Sequence, residues 1–464
     1  MDVIASRLGK WIVELKYEDL SPEVVRLAKQ CILDHLGVQI RGATLPQVQP
    51  VRRLVEAMGG TAEATVGFYG WKTSAAYAAY VNGTFGHSCE FDDSHFHCGH
   101  PGVCVIPAAL ALAERVRASG RELITAVVAG YQAQAASIGP IHGSTLVLGW
   151  HGTKVGGVFG AAGAAASLLR LDIEQTAHAL SIAASDASGT MEYDQSGGEV
   201  KRLHAGSASR SGVQAALLAQ YGMTGPATVF EGKRGIYRLF GDGSPPDIER
   251  FWTGHFHILD TMFKLYPAVG TAHAALNALT QIMVTGEFIA SDVTAINVGL
   301  ADWAIPHGAA ITRPTDCISA QFSLAFSLAL RLVKRSNDLQ LYLDPGMWGD
   351  AELLGQAEKV HPYPMAIENG AHPLGAKVEV VLRDGRQYSY YQRAPRGLPE
   401  CPASDAELKR KFYDLTEGLL PPEQIEQIVE KVDALEALKD VSELVVSLHQ
   451  RIHCIGSHVI SSKK

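Results

Sequence analysis

A run of small residues in the middle of the chain constrains the fold more than any other stretch. Residues 149–169 read GWHGTKVGGVFGAAGAAASLL, which changes from a glycine-rich loop into a helix of glycine and alanine. The spacing of Gly156, Gly160 and Gly163 leaves part of that helix without side chains, so neighbouring helices can approach closely. We therefore predict a buried helix inside a helical assembly.

The same glycines do not predict a nucleotide site. Dinucleotide-binding glycines follow directly on a strand, and phosphate-binding loops end in Gly-Lys-Ser/Thr. Neither context is present in residues 149–169. A packing role therefore remains the better interpretation of this glycine content.

Helical periodicity dominates the chain up to about residue 285. Ser21-Pro22-Glu23 predicts a helix start, because serine caps the helix, proline fits its first turn and the carboxylate faces its positive end. We expect that helix to end near Gly42. Further helices are predicted at 47–58, 73–82, 105–117, 121–137, 173–187 and 205–221.

The pattern changes after about residue 285. Residues 293–298 and 376–382 alternate as strands, 383–386 read as a hairpin-type turn, and 388–391 supply the returning strand. Helical periodicity resumes at Asp405, and a new helix start follows the prolines at 421–422. The sequence thus predicts a mainly α protein with a smaller α/β part.

Composition restricts the class of protein. A length of 464 residues predicts two or three domains, and 47% hydrophobic with 19% charged residues predicts a soluble globular chain. The net charge of −8 argues against a nucleic-acid or membrane partner, and no apolar run is long enough to span a bilayer. Seven scattered cysteines and the lack of a signal-peptide pattern predict a cytoplasmic protein.

The segment from His87 to Pro107, HSCEFDDSHFHCGHPGVCVIP, is unusually dense in titratable groups. Glycines and a proline interrupt it, so we expect a loop between helices, and the interleaved apolar residues predict that it packs inward. Because perturbed acid–base groups concentrate in clefts, this loop is the first candidate site. Its carboxylates, histidines and cysteines are Glu90, Asp92, Asp93, His87, His95, His97, His100, Cys89, Cys98 and Cys104.

Three further stretches carry candidate chemistry. They are His151 between glycines, Lys201-Arg202-Leu203-His204 at the expected start of a helix, and Lys264 in Phe-Lys-Leu-Tyr-Pro. Each one alone is more often structural. Together they suit a polycarboxylate, because cations bind carboxylates and stabilise developing negative charge, while a histidine can move a proton next to a carboxyl group.

Two alternatives of other classes remain open. His95, His97, Cys98 and His100 are zinc-ligand types at close spacing, which allows a metal-dependent hydrolase, although no CxxC or HExxH frame is present. The other alternative is a non-catalytic helical scaffold that dimerises and holds the polar loop as an internal network.

Several motifs, taken in order along nearly the whole chain, resemble the MmgE/PrpD family. They are Leu33-Asp34-His35-Leu36-Gly37, Asn82-Gly83-Thr84, Phe91-Asp92-Asp93-Ser94, His100-Pro101-Gly102, Lys201-Arg202-Leu203-His204-Ala205-Gly206, Glu231-Gly232 and Lys264-Leu265-Tyr266-Pro267.

The resemblance implies a fold, an oligomeric state and a type of chemistry. It implies a large all-helical domain that is discontinuous, formed by residues 1–264 and 405–464, and a smaller α/β domain at 265–404. It also implies a site between the two domains, a homodimer, and chemistry on small di- and tricarboxylates without a metal or another cofactor.

Site residues are carried over motif by motif from the decarboxylase pattern of the family. That pattern places acid–base and cationic groups on Glu90, Ser94, His100, His151, Lys201 and Lys264. Glu90 stands where the pattern has aspartate and Ser94 where it has threonine, so the substrate pocket is expected to differ in shape.

The predicted roles follow from this assignment. His100 and His151 are the general base and acid, in either order. Lys201, Lys264 and Arg202 bind substrate carboxylates, and Glu90 and Asp93 orient the histidines or lysines. His204, Tyr266 and Ser94 complete the predicted substrate-binding set.

The expected activity is a metal-independent lyase or isomerase that moves a proton alpha to a carboxylate. Dehydration of a 2-methylcitrate-like acid is the first expectation, because it adds only the loss of a β-hydroxyl to the proton step. An iminodisuccinate-type epimerase and a cis-aconitate decarboxylase are the alternatives within the family.

Overall fold

A computed structural model of the chain describes residues 3–196, 198–243, 246–252 and 254–450. Helices form most of the first 285 residues, as the periodicity predicts. Their bounds are α1 Ile4–Glu14, α2 Pro22–Ala43, α3 Gln49–Met58, α4 Ala75–Gly86, α5 Gly102–Val116, α6 Gly120–Ile138, α7 His142–Val147, α8 Gly152–Leu168, α9 Ile173–Ala183, α10 Tyr193–Ser196, α11 Val200–Gln220, α12 Ile236–Phe240 and α13 His273–Thr285.

The later part of the chain mixes helices with strands. Its helices are α14 Cys317–Gln321, α15 Leu324–Lys334, α16 Leu339–Leu343, α17 Pro345–Trp348, α18 Ala351–Ala357, α19 Asp405–Thr416, α20 Pro422–Asp433 and α21 Ser442–Val446. The strands of the whole chain are β1 Ala64–Thr65, β2 Lys72–Thr73, β3 Ser94–His95, β4 Thr261–Met262, β5 Val293–Leu300, β6 Val360–Pro364, β7 Ala376–Leu382 and β8 Gln387–Gln392.

The helix signals at the N-terminus are confirmed. The Ser21 side chain accepts a hydrogen bond from the main-chain N–H of Val24 at 3.3 Å, and Pro22 occupies the first turn of α2. The helix ends at Ala43, next to the predicted Gly42. Serine caps the helix by accepting one of the N–H groups that has no partner within the helix.

The small residues of α8 have the predicted packing role. A Cβ atom added at Gly156 would lie 2.6 Å from Ile138 Cγ2, and one at Gly163 would lie 2.7 Å from the Cβ of Ala133. Both neighbours belong to α6, so α6 and α8 pack against each other at a distance that larger side chains would not allow. The central helix pair is therefore fixed by its glycines.

A four-stranded sheet with the order β6-β5-β7-β8 forms the centre of the α/β part. β5 pairs with β6 in parallel and with β7 antiparallel, and β7 pairs antiparallel with β8 across the predicted turn. The helix α13 packs on β7 and β8. β6 was not predicted, because Pro362 and Pro364 argue against a strand, and its edge position explains why they are tolerated. The fold is thus mainly α with a smaller α/β part.

The C-terminal helices return to the first helices of the chain. The Phe412 ring of α19 packs on Gly37 of α2, where an added Cβ would lie 3.1 Å from Phe412 Cδ2. The buried side chains of α19 to α21 share one hydrophobic core with those of α2, α4 and α5. This arrangement agrees with a discontinuous helical domain, although the boundaries 1–264, 265–404 and 405–464 stay a prediction, and residues 1–2 and 451–464 lie outside the described part.

Two helix starts differ from the prediction. The helix α5 begins at Gly102 rather than at 105, because the Asp93 carboxylate accepts the main-chain N–H of Gly102 at 3.0 Å and so caps the helix from the loop. The helix α11 begins at Val200 rather than at 205. Lys201 and His204 therefore lie inside the first turn of α11, where a helix fixes their spacing.

A buried ion pair gives a test of this architecture. Lys411 of α19 donates to Asp34 of α2 at 2.6 Å and to the carbonyl of Phe91 at 2.6 Å, with both charged side chains buried. Replacing Lys411 with alanine leaves the Asp34 carboxylate buried without a cation, so the free energy of unfolding should fall by about 3–5 kcal/mol.

The matched control is Lys409→Ala, since Lys409 pairs with Asp433 on the surface of the same helix. That change should cost no more than about 1 kcal/mol. Urea denaturation of both variants gives the comparison. Equal losses for the two variants would contradict the anchoring role of Lys411.

Candidate active site

The loop between α4 and α5 is held in an unusual conformation that directs its acids inward. It starts with a 3-10 turn at His87–Cys89, and Glu90 follows with a φ of 53°, in the left-handed region. A non-glycine residue in that region costs about 1–2 kcal/mol, and such strain concentrates at functional sites. The strand β3 then pairs antiparallel with β4, two residues before Lys264.

Glu90, Lys201 and Lys264 form one cluster, which we call the carboxylate–lysine cluster. Lys264 Nζ lies 2.7 Å from Glu90 Oε1, and Lys201 Nζ donates to Glu90 Oε2. All three side chains are at most 6% exposed. Two ammonium groups share one carboxylate, so the cluster carries a net positive charge.

The charges of this cluster are stable at neutral pH. Burial alone would raise the pKa of Glu90, but Lys201 and Lys264 outweigh it and hold the pKa well below its usual range. Burial lowers the pKa of Lys201, and Glu90 opposes that shift. Glu90 therefore remains a carboxylate that neutralises only one of the two lysines.

His87, Asp92 and His100 form a second cluster, which we call the histidine–aspartate cluster. Asp92 Oδ2 lies 2.9 Å from His87 Nδ1 and 3.0 Å from His100 Nδ1. His100 Nδ1 also lies 2.8 Å from the carbonyl oxygen of Asp93, which can only accept. His100 therefore carries a proton on Nδ1, so Nε2 is the ring nitrogen that can act as a base.

The electrostatics of this cluster depend on burial and on Lys201. Burial, followed by the nearby Lys201 ammonium, lowers the pKa of His87 to about 4. Burial would raise the pKa of Asp92, but His87 and His100 outweigh it and keep the pKa well below its usual range. His87 is therefore neutral and Asp92 ionised at neutral pH.

His151 lies directly before α8 and faces α11. Its Nδ1 is 3.0 Å from Nδ1 of His204, so one ring donates and the other accepts. Burial, then His87 and Lys201, lowers the pKa of His151 well below its usual range, and burial and Lys154 lower that of His204 to about 4. Both rings are neutral at pH 7.

Ring contacts join the clusters into one site. The His151 ring stacks on His87 at 5.8 Å between centroids, and His87 contacts His100 at 5.0 Å. Lys201 Nζ lies 5.2 Å from the centroid of the Phe322 ring, which belongs to the α/β part of the chain. Gln321, beside it, donates to the carbonyl of Cys89 at 2.8 Å. The site is thus bounded by both parts of the molecule.

Asp93 has other partners than predicted. Its carboxylate accepts from the Tyr131 hydroxyl at 2.5 Å and from the N–H of Gly102, and within the described residues it contacts no histidine or lysine side chain. Burial raises the pKa of Asp93 to about 8. That its side chain orients catalytic groups stays a prediction, and its main-chain carbonyl accepts from His100 Nδ1.

The remaining predicted residues are placed less favourably for substrate binding. The Arg202 guanidinium is engaged by the Ser88 carbonyl, the Glu199 carboxylate and the Cys317 sulfur. It therefore connects the loop to the α/β part of the chain, which is a structural role.

Tyr266 and Ser94 have structural contacts as well. The Tyr266 hydroxyl accepts from the Asn277 side chain at 3.0 Å, and the Arg331 guanidinium lies 5.3 Å from the centre of its ring. Ser94 pairs with Met262 in the β3–β4 ladder. Neither residue contacts a charged group of the two clusters in the hydrogen bonds of the described chain, so their substrate-binding roles stay predictions.

The sequence analysis includes Asp92 and His87 in the candidate loop but assigns them no role, and it gives no signal for Phe322 or for Tyr193, whose ring lies 5.5 Å from that of His151. Asp92 and Asp93 are adjacent, and nothing in the pattern distinguishes the acid that faces the histidines from the one that caps α5. Phe322 lies more than 100 residues from its partners, so no local signal could have found it.

The zinc-ligand set of the hydrolase alternative is not assembled. Among the described residues, His100 groups with His87 and Asp92, whereas His95 groups with His257 and Asp260. Cys98 is buried in a hydrophobic core. His95, Cys98 and His100 thus lie in three separate places. That the catalytic site works without a metal or a cofactor stays a prediction.

Comparisons with known proteins identify the family of the chain. The model of the MmgE/PrpD N-terminal domain matches residues 6–249, and that of the MmgE/PrpD C-terminal domain matches residues 266–436. The chain belongs to the MmgE/PrpD family.

Three curated relatives cover almost the whole chain. The cis-aconitate decarboxylase-like protein oryM of Aspergillus oryzae is 26% identical over 95% of this chain and 96% of its own length. The cis-aconitate decarboxylase of Aspergillus terreus is 27% identical over 96% of both chains. The cis-aconitate decarboxylase of Mus musculus is 26% identical over 93% of this chain and 90% of its own. These relatives support a lyase at the level of the family. Within the described residues, no helix is long and apolar enough to cross a bilayer.

The depressed histidine pKa values predict how stability changes with pH. These rings stay neutral in the folded chain but take up protons near pH 6.5 when the chain is unfolded. Their contribution to the free energy of unfolding is therefore complete above pH 6.5 and is lost as the pH falls toward 4. Burial, as the largest cause, lowers the pKa to about 4 for His35, His87, His97 and His204, and to about 3 for His142 and His273.

Asp93 acts in the opposite direction, since its folded pKa of about 8 lies above the unfolded value. Asp93 is one titrating group, whereas six histidines act in the other direction. The melting temperature should therefore be lower at pH 5 than at pH 7. Differential scanning calorimetry at constant ionic strength measures this. An equal or higher melting temperature at pH 5 would contradict the neutral, buried state of these histidines.

Proposed function

We propose that this protein is a metal-independent lyase that acts on a small di- or tricarboxylate by proton transfer at a carbon alpha to a carboxylate. The observation that carries the proposal is the carboxylate–lysine cluster. Lys201 and Lys264 are buried and share the Glu90 carboxylate, so both ammonium groups are placed to bind an anionic group of a substrate beside it.

The imidazoles supply the proton chemistry. His100 has its Nδ1 proton held by Asp92 and by the carbonyl of Asp93, so Nε2 takes or returns a proton. His151 is a second neutral imidazole in the same site. In a decarboxylation, the bond between carbon and carboxylate breaks with release of CO₂, the electron pair stays on the substrate, and an imidazole that has taken up a proton from solvent delivers it to the resulting carbanion. The lysine ammonium groups stabilise the negative charge on the remaining carboxylates.

Decarboxylation of a cis-aconitate-like tricarboxylate is the reaction best supported by the comparisons, because three relatives with that activity in their names cover nearly all of the chain. Dehydration of a 2-methylcitrate-like acid and an iminodisuccinate-type epimerisation use the same proton step and stay predictions. Glu90 in place of aspartate reaches one methylene further and would alter the pocket. A cytoplasmic location and a homodimer are part of the same proposal; the first rests on the scattered cysteines and the second on the resemblance.

The reaction is tested by proton NMR in D₂O with chelator-treated protein and a panel of 2-methylcitrate, citrate, cis-aconitate and iminodisuccinate. We expect cis-aconitate to be consumed, with new methylene signals and release of CO₂. New olefinic signals from a hydroxy acid would indicate dehydration, and deuterium incorporation with only diastereomer exchange would indicate an epimerase.

The same experiment can contradict the proposal. No reaction anywhere in the panel, with hydrolysis of an ester or amide appearing after zinc is added, would favour the metal-dependent hydrolase. No ligand-induced rise in melting temperature with any polycarboxylate would favour the non-catalytic scaffold, because a bound ligand stabilises the folded state.

Lys201→Ala tests the cationic role directly. The change removes a charge that contacts Glu90 and lies beside the imidazoles, so KM should rise and kcat should fall, with kcat/KM reduced by about 100-fold or more. Lys10→Ala is the matched control, because Lys10 is exposed on α1. Unchanged steady-state kinetics of Lys201→Ala with a turned-over substrate would remove Lys201 from the site.

A further inference from the structure

A second group of histidines surrounds Asp260, apart from the carboxylate–lysine and histidine–aspartate clusters. Asp260 Oδ1 lies 2.9 Å from His255 Nε2, and Asp260 Oδ2 lies 3.3 Å from His257 Nδ1 and 3.7 Å from His95 Nε2. One ligand atom each from His95, His257 and Asp260 lies within 4.8 Å of the others. The proposed function uses none of these groups.

One ring of this group has a nitrogen atom without a hydrogen-bond partner in the described chain. His95 is 3% exposed, and its buried Nε2 makes no hydrogen bond there. His257 Nε2 lies 3.3 Å from the carbonyl of Phe251 and donates its proton there, and His257 Nδ1 lies 3.3 Å from Asp260 Oδ2. The unpartnered His95 Nε2, His257 Nδ1 and the Asp260 carboxylate therefore lie close to one another.

We propose that His95 Nε2, His257 Nδ1 and the Asp260 carboxylate bind a divalent transition-metal ion such as Zn²⁺, with His255 as a further ligand on the solvent side. Imidazole and carboxylate ligands suit zinc and its neighbours rather than Mg²⁺ or Ca²⁺, which prefer oxygen alone. The hydrogen bond from His257 to a carbonyl is the usual support of a metal-binding histidine.

The site is accessible from solvent, and binding an ion requires one change in the protonation of His95. The side chains of Asp260 and His255 are 40% and 43% exposed, so the carboxylate is open to solvent. The main-chain N–H of His97 lies 3.1 Å from His95 Nδ1, which places the proton of the free His95 ring on Nε2. Binding moves that proton to Nδ1 and gives up the bond from His97.

The position of the proposed metal site connects it to the strands β3 and β4. His95 belongs to β3, and Asp260 directly precedes β4, so an ion would join the two strands at the end where they pair. Lys264 follows two residues after β4. The bound metal therefore stabilises the segment that carries one lysine of the carboxylate–lysine cluster, without taking part in the proposed chemistry.

Isothermal titration of untagged, chelator-treated protein with Zn²⁺ tests the proposal. The wild type should bind one ion with saturation, and the variants H257Q and D260N should each bind at least about 10-fold more weakly. The matched control H361N changes an exposed histidine of β6 and should bind like the wild type. C454S, which removes a possible ligand from the segment outside the described residues, should also leave the affinity unchanged.

A second measurement uses only the wild-type protein, so it does not depend on the folding of a variant. Diethyl pyrocarbonate labels exposed histidines of the wild type, and mass spectrometry should show that Zn²⁺ protects His255, which is 43% exposed, but not His361. Absence of saturable binding, equal affinity of D260N and the wild type, or an unprotected His255 would each overturn the metal site. None of these results depends on the proposed lyase activity.

Discussion

The rest of the site depends on one carboxylate, that of Glu90, which two buried lysines share. Lys201 and Lys264 lie 111 and 174 residues further along the chain, so the contact closes two long segments onto one loop. An isolated charge in this interior would be very costly, and three together are tolerated only because each has a partner. The two ammonium groups held in this way are the basis of the proposed carboxylate binding.

The scaffold positions this carboxylate from several directions. Glu90 has a left-handed backbone conformation, which the 3-10 turn before it and the short β3–β4 ladder after it maintain. The Arg202 guanidinium binds the Ser88 carbonyl, and Gln321 binds the Cys89 carbonyl from the α/β part of the chain. Both halves of the molecule therefore hold the loop, and a movement between them would change the geometry of the lysines.

Much of the fold and part of the site follow from the sequence. Some features depend only on residues that are neighbours in sequence, so the sequence predicts them. They are the capping signal at Ser21, the small residues of α8 and the alternation of β7. Glu90, His100, His151, Lys201 and Lys264, to which the resemblance assigns roles, lie in one region of the structure. The contacts of Asp93 and Arg202 could not be predicted, because the direction of a side chain in an irregular loop depends on distant partners such as Tyr131 and Cys317. The strand β6 was missed because edge position, which permits its prolines, is a tertiary property.

The most direct measurement is a crystal structure of the protein with an unreactive tricarboxylate, propane-1,2,3-tricarboxylate. The account predicts a ligand carboxylate oxygen within about 3 Å of the ammonium nitrogen of Lys201 or Lys264, which is the usual length of a charge-assisted hydrogen bond. It also predicts that His100 Nε2 faces a carbon atom next to a carboxylate. A ligand bound at another place, with both lysines contacting Glu90 alone, would contradict the central role of the carboxylate–lysine cluster.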